Sequence, residues 1–319
     1  MSNNHLVQKR RTLGTQGIQR AIWIALAALI VSVASFGGYY YWDRYVHPGD
    51  QSPLDRDIER MKEVIQEDPQ SPKARVALAE YYLGKGLHKE AINQTEQVLS
   101  LYPENEGALL VAGVAFVRMD QPEHALEPLE KFTELRKDQP MANVDTALEA
   151  AYYFLGESYV KLNRMDEAIT TLEAALHINT TDADALYQLG LAYQANGQAE
   201  KALERYHKAV RLVPNFIEAY SGMIESYTAL ERPDYVAYAR GMQALGLQDY
   251  GTAQTHLEYA IEALPDFGPA FLGLGLVYEQ KGDLQAALMV VQHALELNPG
   301  DFAAKQTLGR IQAAMNSQG

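Results

Sequence analysis

The chain has no cysteine. This excludes disulfides, thiolate zinc sites and a lipid anchor through an N-terminal cysteine, and it leaves the compartment open. It also has no HExxH, no glycine-rich phosphate loop and no GxSxG, the short patterns that metalloprotease, nucleotide and acyl-transfer chemistry need. The eight histidines, at positions 5, 47, 88, 124, 177, 207, 256 and 293, never fall within helical reach of one another. No metal, cofactor or catalytic residue is expected. Base is scarce: 27 Lys and Arg face 41 Asp and Glu, for a net charge of −14. Four of the cations (Lys9, Arg10, Arg11, Arg20) lie in residues 1–42, which hold no acid, so −14 less those four leaves −18 on residues 43–319. So acidic a domain repels phosphate, which argues against nucleic acid and against lying flat on anionic lipid.

Charge is missing altogether from Ile22 to Trp42, IWIALAALIVSVASFGGYYYW. As a helix at 1.5 Å per residue this run reaches about 30 Å, the thickness of a bilayer's hydrocarbon core. It reads as a transmembrane helix, with Trp23 at one interface and Tyr39, Tyr40, Tyr41 and Trp42 at the other. A cleaved signal peptide, cut after Val33 and Ser35, is the rival reading. The excess of Lys and Arg before the run makes residues 1–21 a cytoplasmic basic tail and puts the rest outside the cytoplasm. The opposite topology, with the array cytoplasmic, stays open. Residues 43–71 read as a linker with Pro48, Gly49, Ser52 and Pro53, followed by an initial helix with Leu54, Ile58, Met61 and Ile65 on one face.

The remainder repeats itself. Residues 183–216, ADALYQLGLAYQANGQAEKALERYHKAVRLVPNF, have Leu186, Leu189 and Tyr193 at i, i+3 and i+7 on one helical face. Gly190 and Ala202 are small where two antiparallel helices would cross, Asn196 and Gly197 end the first helix, and Pro214 stops the second. Units with matching residues begin near 72, 106, 149, 183, 234 and 268, with a half unit at 217. About nine residues are inserted near 137–145, KDQPMANVD, and Pro128 falls inside a second helix, where a kink is expected. The half unit leaves only 17 residues before Asp234, so the helix beginning there must serve as second helix to one neighbour and first helix to the next. Residues 301–315 form a capping helix with Ala304, Leu308 and Ile311 inward.

This pattern resembles the tetratricopeptide repeat (TPR) over residues 72–316, about three quarters of the chain. The resemblance implies an all-α solenoid of stacked helix hairpins, wound as a right-handed superhelix, here behind one N-terminal transmembrane helix. It also implies that first helices line a concave peptide-binding groove. Carried over by repeat position, that groove includes Val76, Glu80, Leu110, Val114, Tyr153, Glu157, Tyr187, Leu191, Glu225, Tyr238, Met242 and Leu276. Such a surface suits protein partners whose peptides combine apolar and basic residues. Val76 and Glu80 stand where the chaperone-binding members of the family carry lysine and asparagine, so a carboxylate clamp is not expected. The function implied is a non-catalytic scaffold or assembly factor of a cell-envelope complex. Cytochrome c maturation, pilus or secretion assembly, and self-association into a homo-oligomer remain alternatives.

Overall fold

The computed structural model describes residues 53–318. The transmembrane helix expected at Ile22 to Trp42, the expected basic tail and the stretch from 43 to 52 fall outside them. Among the described residues no helix is long and apolar enough to cross a membrane. The chain divides into two units, Met1–Glu63 and Val64–Gly319.

Among the described residues there are fifteen helices and no strand. In chain order they are α1 Pro53–Glu67, α2 Pro72–Gly84, α3 His88–Leu99, α4 Glu106–Arg118 and α5 Pro122–Arg136, then α6 Thr146–Lys161, α7 Met165–Ile178, α8 Ala183–Ala195, α9 Ala199–Leu212 and α10 Ile217–Ala229. They continue as α11 Pro233–Gly246, α12 Tyr250–Ala263, α13 Gly268–Lys281, α14 Leu284–Leu297 and α15 Phe302–Gln318. From α2 onward each helix lies against the next. No single hairpin buries its apolar face alone, so most of the core is one band, rich in Ala, Leu and Tyr, shared between neighbours, with a smaller cluster toward each end of the array.

The turns record the register. A residue with left-handed backbone stands at Gly86, Asp120, Asn163, Gly197, Glu231, Gln248 and Gly282, where one helix of a hairpin hands over to the next. The steps are therefore 34 residues, except 43 across the insertion and 17 between Glu231 and Gln248. Through that short step α11 closes a hairpin with α10 on one side and with α12 on the other.

A tyrosine clamp recurs with the same period. The Tyr193 hydroxyl donates to Glu173 at 2.6 Å and the Tyr278 hydroxyl lies 3.4 Å from Glu258, each 20 residues earlier on the preceding second helix. The Tyr159 hydroxyl donates to Glu130 at 2.6 Å across 29 residues, so the insertion lengthens the connection and leaves the contact intact. The insertion itself is a loop with a 3-10 turn at Ala142–Val144. Arg136 pins it, reaching Glu106 at 2.6 Å on one side and Asp145 at 2.6 Å on the other. Asp145 in turn accepts from the backbone N–H groups of Ala147 and Leu148. This cap starts α6 at Thr146, three residues before the unit boundary read from the sequence. Helix α5 runs continuously through Pro128.

Close approach is bought by glycine at the crossings. A Cβ on Gly190 would stand 2.4 Å from the Tyr206 ring, and one on Gly222 would stand 2.4 Å from the other side of the same ring. Tyr206, on α9, is fully buried between α8 and α10.

Candidate functional site

Curvature follows from which helices touch their next-but-one neighbour, because helices on the inner side of a bent stack lie closer together. From α2 to α10 the even-numbered helices do so: α2 with α4, α4 with α6, α6 with α8 and α8 with α10. From α11 onward the odd-numbered ones do: α11 with α13 and α13 with α15. The inner layer therefore changes sides at the 17-residue step. One continuous groove, as the repeat positions suggested, becomes two faces belonging to opposite layers.

The even face carries Val76, Glu80, Leu110, Val114, Tyr153, Glu157, Tyr187, Leu191 and Glu225. Glu80 and Glu225 are exposed and the other seven are half-buried. Val76 packs beneath Gly107 at the start of α4. Tyr187 leans on Phe216, with ring centroids 5.2 Å apart, and Tyr153 meets Phe154 edge-on at 5.0 Å. Burial first, then the charges of Glu218 and Glu225, push the Tyr187 hydroxyl above its ordinary pKa. Burial and then Glu157, Asp184 and Asp182 do the same to Tyr153. Carboxylates thus act on both hydroxyls, and at Tyr153 they outweigh Arg118, which lies over the neighbouring Phe154 ring at 5.2 Å. Gln194 ties part of this surface together: its amide donates to Glu225 at 2.6 Å, while its carbonyl oxygen accepts from Tyr206 at 2.9 Å and Ser226 at 3.1 Å. Glu157 meets Lys161 at 3.3 Å. Among the described residues no cation stands within ion-pair distance of Glu80, Asp184, Glu218 or Glu225.

Tyr238, Met242 and Leu276 do not join that face. Tyr238 and Met242 are buried, and with the half-buried Leu276 they line a cavity of about 650 Å3 among α9, α10, α11, α13 and α15. Tyr238 meets Phe267 edge-on at 4.9 Å, where Tyr187 meets Phe216 at a tilt of 44°, each partner lying just before the next first-type helix. The two tyrosines hold the same repeat position on opposite layers. Repeat numbering missed Arg211, Phe302 and Arg310, which also line this cavity. Only the spacing of 17 residues hinted that second-type helix α9 and capping helix α15 would share a face.

No group of His, Asp and Glu among the described residues is arranged to hold a metal ion. Among the described residues the one strongly perturbed carboxyl is Glu149, in the first turn of α6. Burial and then the neighbouring Asp182 carboxyl raise its pKa to about 7, and one of its oxygens is buried without a hydrogen-bond partner. Asp182 is already used, accepting from the N–H groups of Asp184 and Ala185 to start α8. A structural role accounts for it.

Three family models match: a TPR repeat model over residues 156–197 and tetratricopeptide repeat models over residues 183–216 and 238–302. Among curated proteins the chain is similar to the CTR9 homolog of Arabidopsis thaliana, 25% identical over 80% of this chain and 22% of the relative. It is also similar to the mitochondrial import receptor subunit TOM70 of Homo sapiens, 23% identical over 79% of this chain and 39% of the relative. The chain thus spans less than half the length of these relatives. Among solved structures, MamA is 29% identical over 55% of this chain and 96% of its own, at a TM-score of 0.48. A tetratricopeptide repeat protein from Parabacteroides merdae is 14% identical over 86% of this chain and 97% of its own, at a TM-score of 0.46. No catalytic family is indicated by these matches. Residues 156–216 and 238–302 thus match tetratricopeptide repeat models, and these matches support that family for the chain.

Proposed function

We propose that the protein is a non-catalytic scaffold or assembly factor, anchored in a membrane, whose even face binds partner segments that combine basic and apolar residues. The observation that carries this reading is the pairing of Tyr153 and Tyr187 with Asp184, Glu218 and Glu225, carboxylates that have no cation partner among the described residues. An arginine or lysine side chain laid over such a tyrosine gains from both the ring and the carboxylates. Repeat arrays of this kind serve protein–protein interaction, which supports the class and leaves the particular complex open. Anchoring through Ile22 to Trp42 rests on that run's length and lack of charge, and the basic residues before it favour a cytoplasmic N-terminus with the array outside the cytoplasm.

The test is a pull-down from native membranes in mild detergent, comparing the full chain with a Glu218→Lys, Glu225→Lys variant that retains its helical circular dichroism. Partners lost from the variant, and found outside the cytoplasm, support both halves of the proposal. Partners retained at wild-type levels remove the even face from the mechanism. Recovery of the protein alone points to self-association.

A further inference from the structure

The cavity on the odd face has a chemistry of its own. Its floor is apolar, built from Tyr238, Met242, Leu272 and Leu276. At about 650 Å3 it falls in the size range of sites that enclose a large side chain or a small ligand. Phe302 stands at its edge 77% exposed, an aromatic ring left in water in the first turn of α15.

The charges around it sort by whether they are already engaged. Arg310 makes a two-pronged contact with Glu279 at 3.0 and 2.8 Å. Asp301 accepts from the Ala304 N–H at 3.0 Å and so caps α15. His207 is bonded to the Tyr227 hydroxyl at 2.7 Å, and burial, then Arg211, lowers its pKa and keeps it neutral. That leaves Arg211, exposed at the end of α9 with no carboxylate within ion-pair distance among the described residues. In a chain of net charge −14 an unengaged guanidinium beside an apolar cavity is the opposite of the even face, where carboxylates lack cations.

We propose that the odd face is a second recognition site, taking a partner segment in which a large apolar side chain enters the cavity and an adjacent carboxylate meets Arg211. The proposal rests on reading the array as protein-binding. It adds that the two faces select oppositely charged segments and, lying on opposite layers, hold them at the same time. The change of inner layer at α11 is what separates the sites, so the 17-residue step makes one array bivalent.

The test uses the full chain and two labelled peptides with Gly-Ser flanks, one with a Trp-Leu-Asp-Asp centre and one with Trp-Leu-Lys-Arg, read by fluorescence anisotropy. The acidic peptide should bind and weaken about tenfold or more on Arg211→Glu and on Leu276→Glu, less on Arg211→Lys, and not at all on Glu218→Lys with Glu225→Lys. It should bind equally well when the chain is already saturated with the basic peptide. Failure of the acidic peptide to bind, indifference to both Arg211→Glu and Leu276→Glu, or displacement by the basic peptide would each overturn the proposal. If the acidic peptide shows this dependence on Arg211 and Leu276 and the basic one does not bind, the even-face reading and the bivalency fall, and the odd-face site stands.

Discussion

Tyr206 and the two glycines that hold it illustrate how single residues set the helix spacing. Its ring fills the space that side chains at Gly190 and Gly222 would occupy, so α8 and α10 both approach α9 through the same side chain. Gly190→Ala is expected to destabilise the protein by about 1–3 kcal/mol, because the new Cβ meets a fully buried ring. In a Tyr206→Leu background the same substitution should cost measurably less, since the two residues share one volume. Urea titrations of the four proteins check this, and equal costs in both backgrounds would contradict the packing described.

Glu149 makes a second prediction at this scale. Its folded pKa of about 7 lies above the ordinary 4.5, so the folded state binds the extra proton more readily than the unfolded chain does. The sign follows: the cost of ionising Glu149 is absent below about pH 4.5, grows between 4.5 and 7 and is complete above 7. The group is half-buried, and solvent screening brings the cost to on the order of 1 kcal/mol. Glu149→Gln should therefore raise stability at pH 8 and flatten its pH dependence between 5 and 7. Unfolding curves at those pH values measure both, and parallel profiles for the two proteins would count against the shared carboxyl pair.

At the scale of elements, the insertion before α6 is fastened chiefly by Arg136, whose guanidinium joins Glu106 of α4 to Asp145, the cap of α6. Those carboxylates hold the Arg136 pKa above its ordinary value against the opposing effect of its partial burial, with the Asp145 hydrogen bond the largest cause. Arg136→Ala is expected to cost about 1–2 kcal/mol. Loss of hydrogen-exchange protection should concentrate in residues 137–149, because the tyrosine clamp from Tyr159 to Glu130 still holds α6 to α5. Protection lost equally along α7 and α8 would argue that the insertion organises more than its own loop.

The elements also separate what was legible from what was not. Period, glycine crossings and helix stops are local, and Gly190, Gly197 and Pro214 announce them in the sequence. The Asp145 cap was not read because an aspartate near an inserted stretch has no period to mark it. Nor could repeat position alone assign Tyr238 to its face. Tyr187 and Tyr238 look identical in the repeat, and only the change of inner layer between them puts one among carboxylates and the other in an apolar cavity.

Across the molecule, stability is expected to run through neighbour contacts, since each helix beyond α1 lies mainly against those before and after it. Removing α15 would uncover Ala287 and Val291 on α14, which with Ala304 and Ile311 form a separate terminal cluster. Truncation before Phe302 should then lower hydrogen-exchange protection in α13 and α14 and leave α4 to α8 near wild type. Uniform loss along the array would mean that cooperativity spans the step at α11.

The sequence by itself determined the helices, their 34-residue period, the inserted residues and the 17-residue step, because propensity, small residues at crossings and turn chemistry all act within a few residues of their cause. It also determined the excess of acid over base. The tertiary structure decided which layer is inner on each side of α11, and therefore which side chains share a surface. Curvature arises from contacts between next-but-one helices, each pair separated by a whole repeat, and no local signal encodes which layer will close up. Arg211 and Phe302 come from helices far apart in the chain. They border one cavity because the stack bends toward the odd layer there.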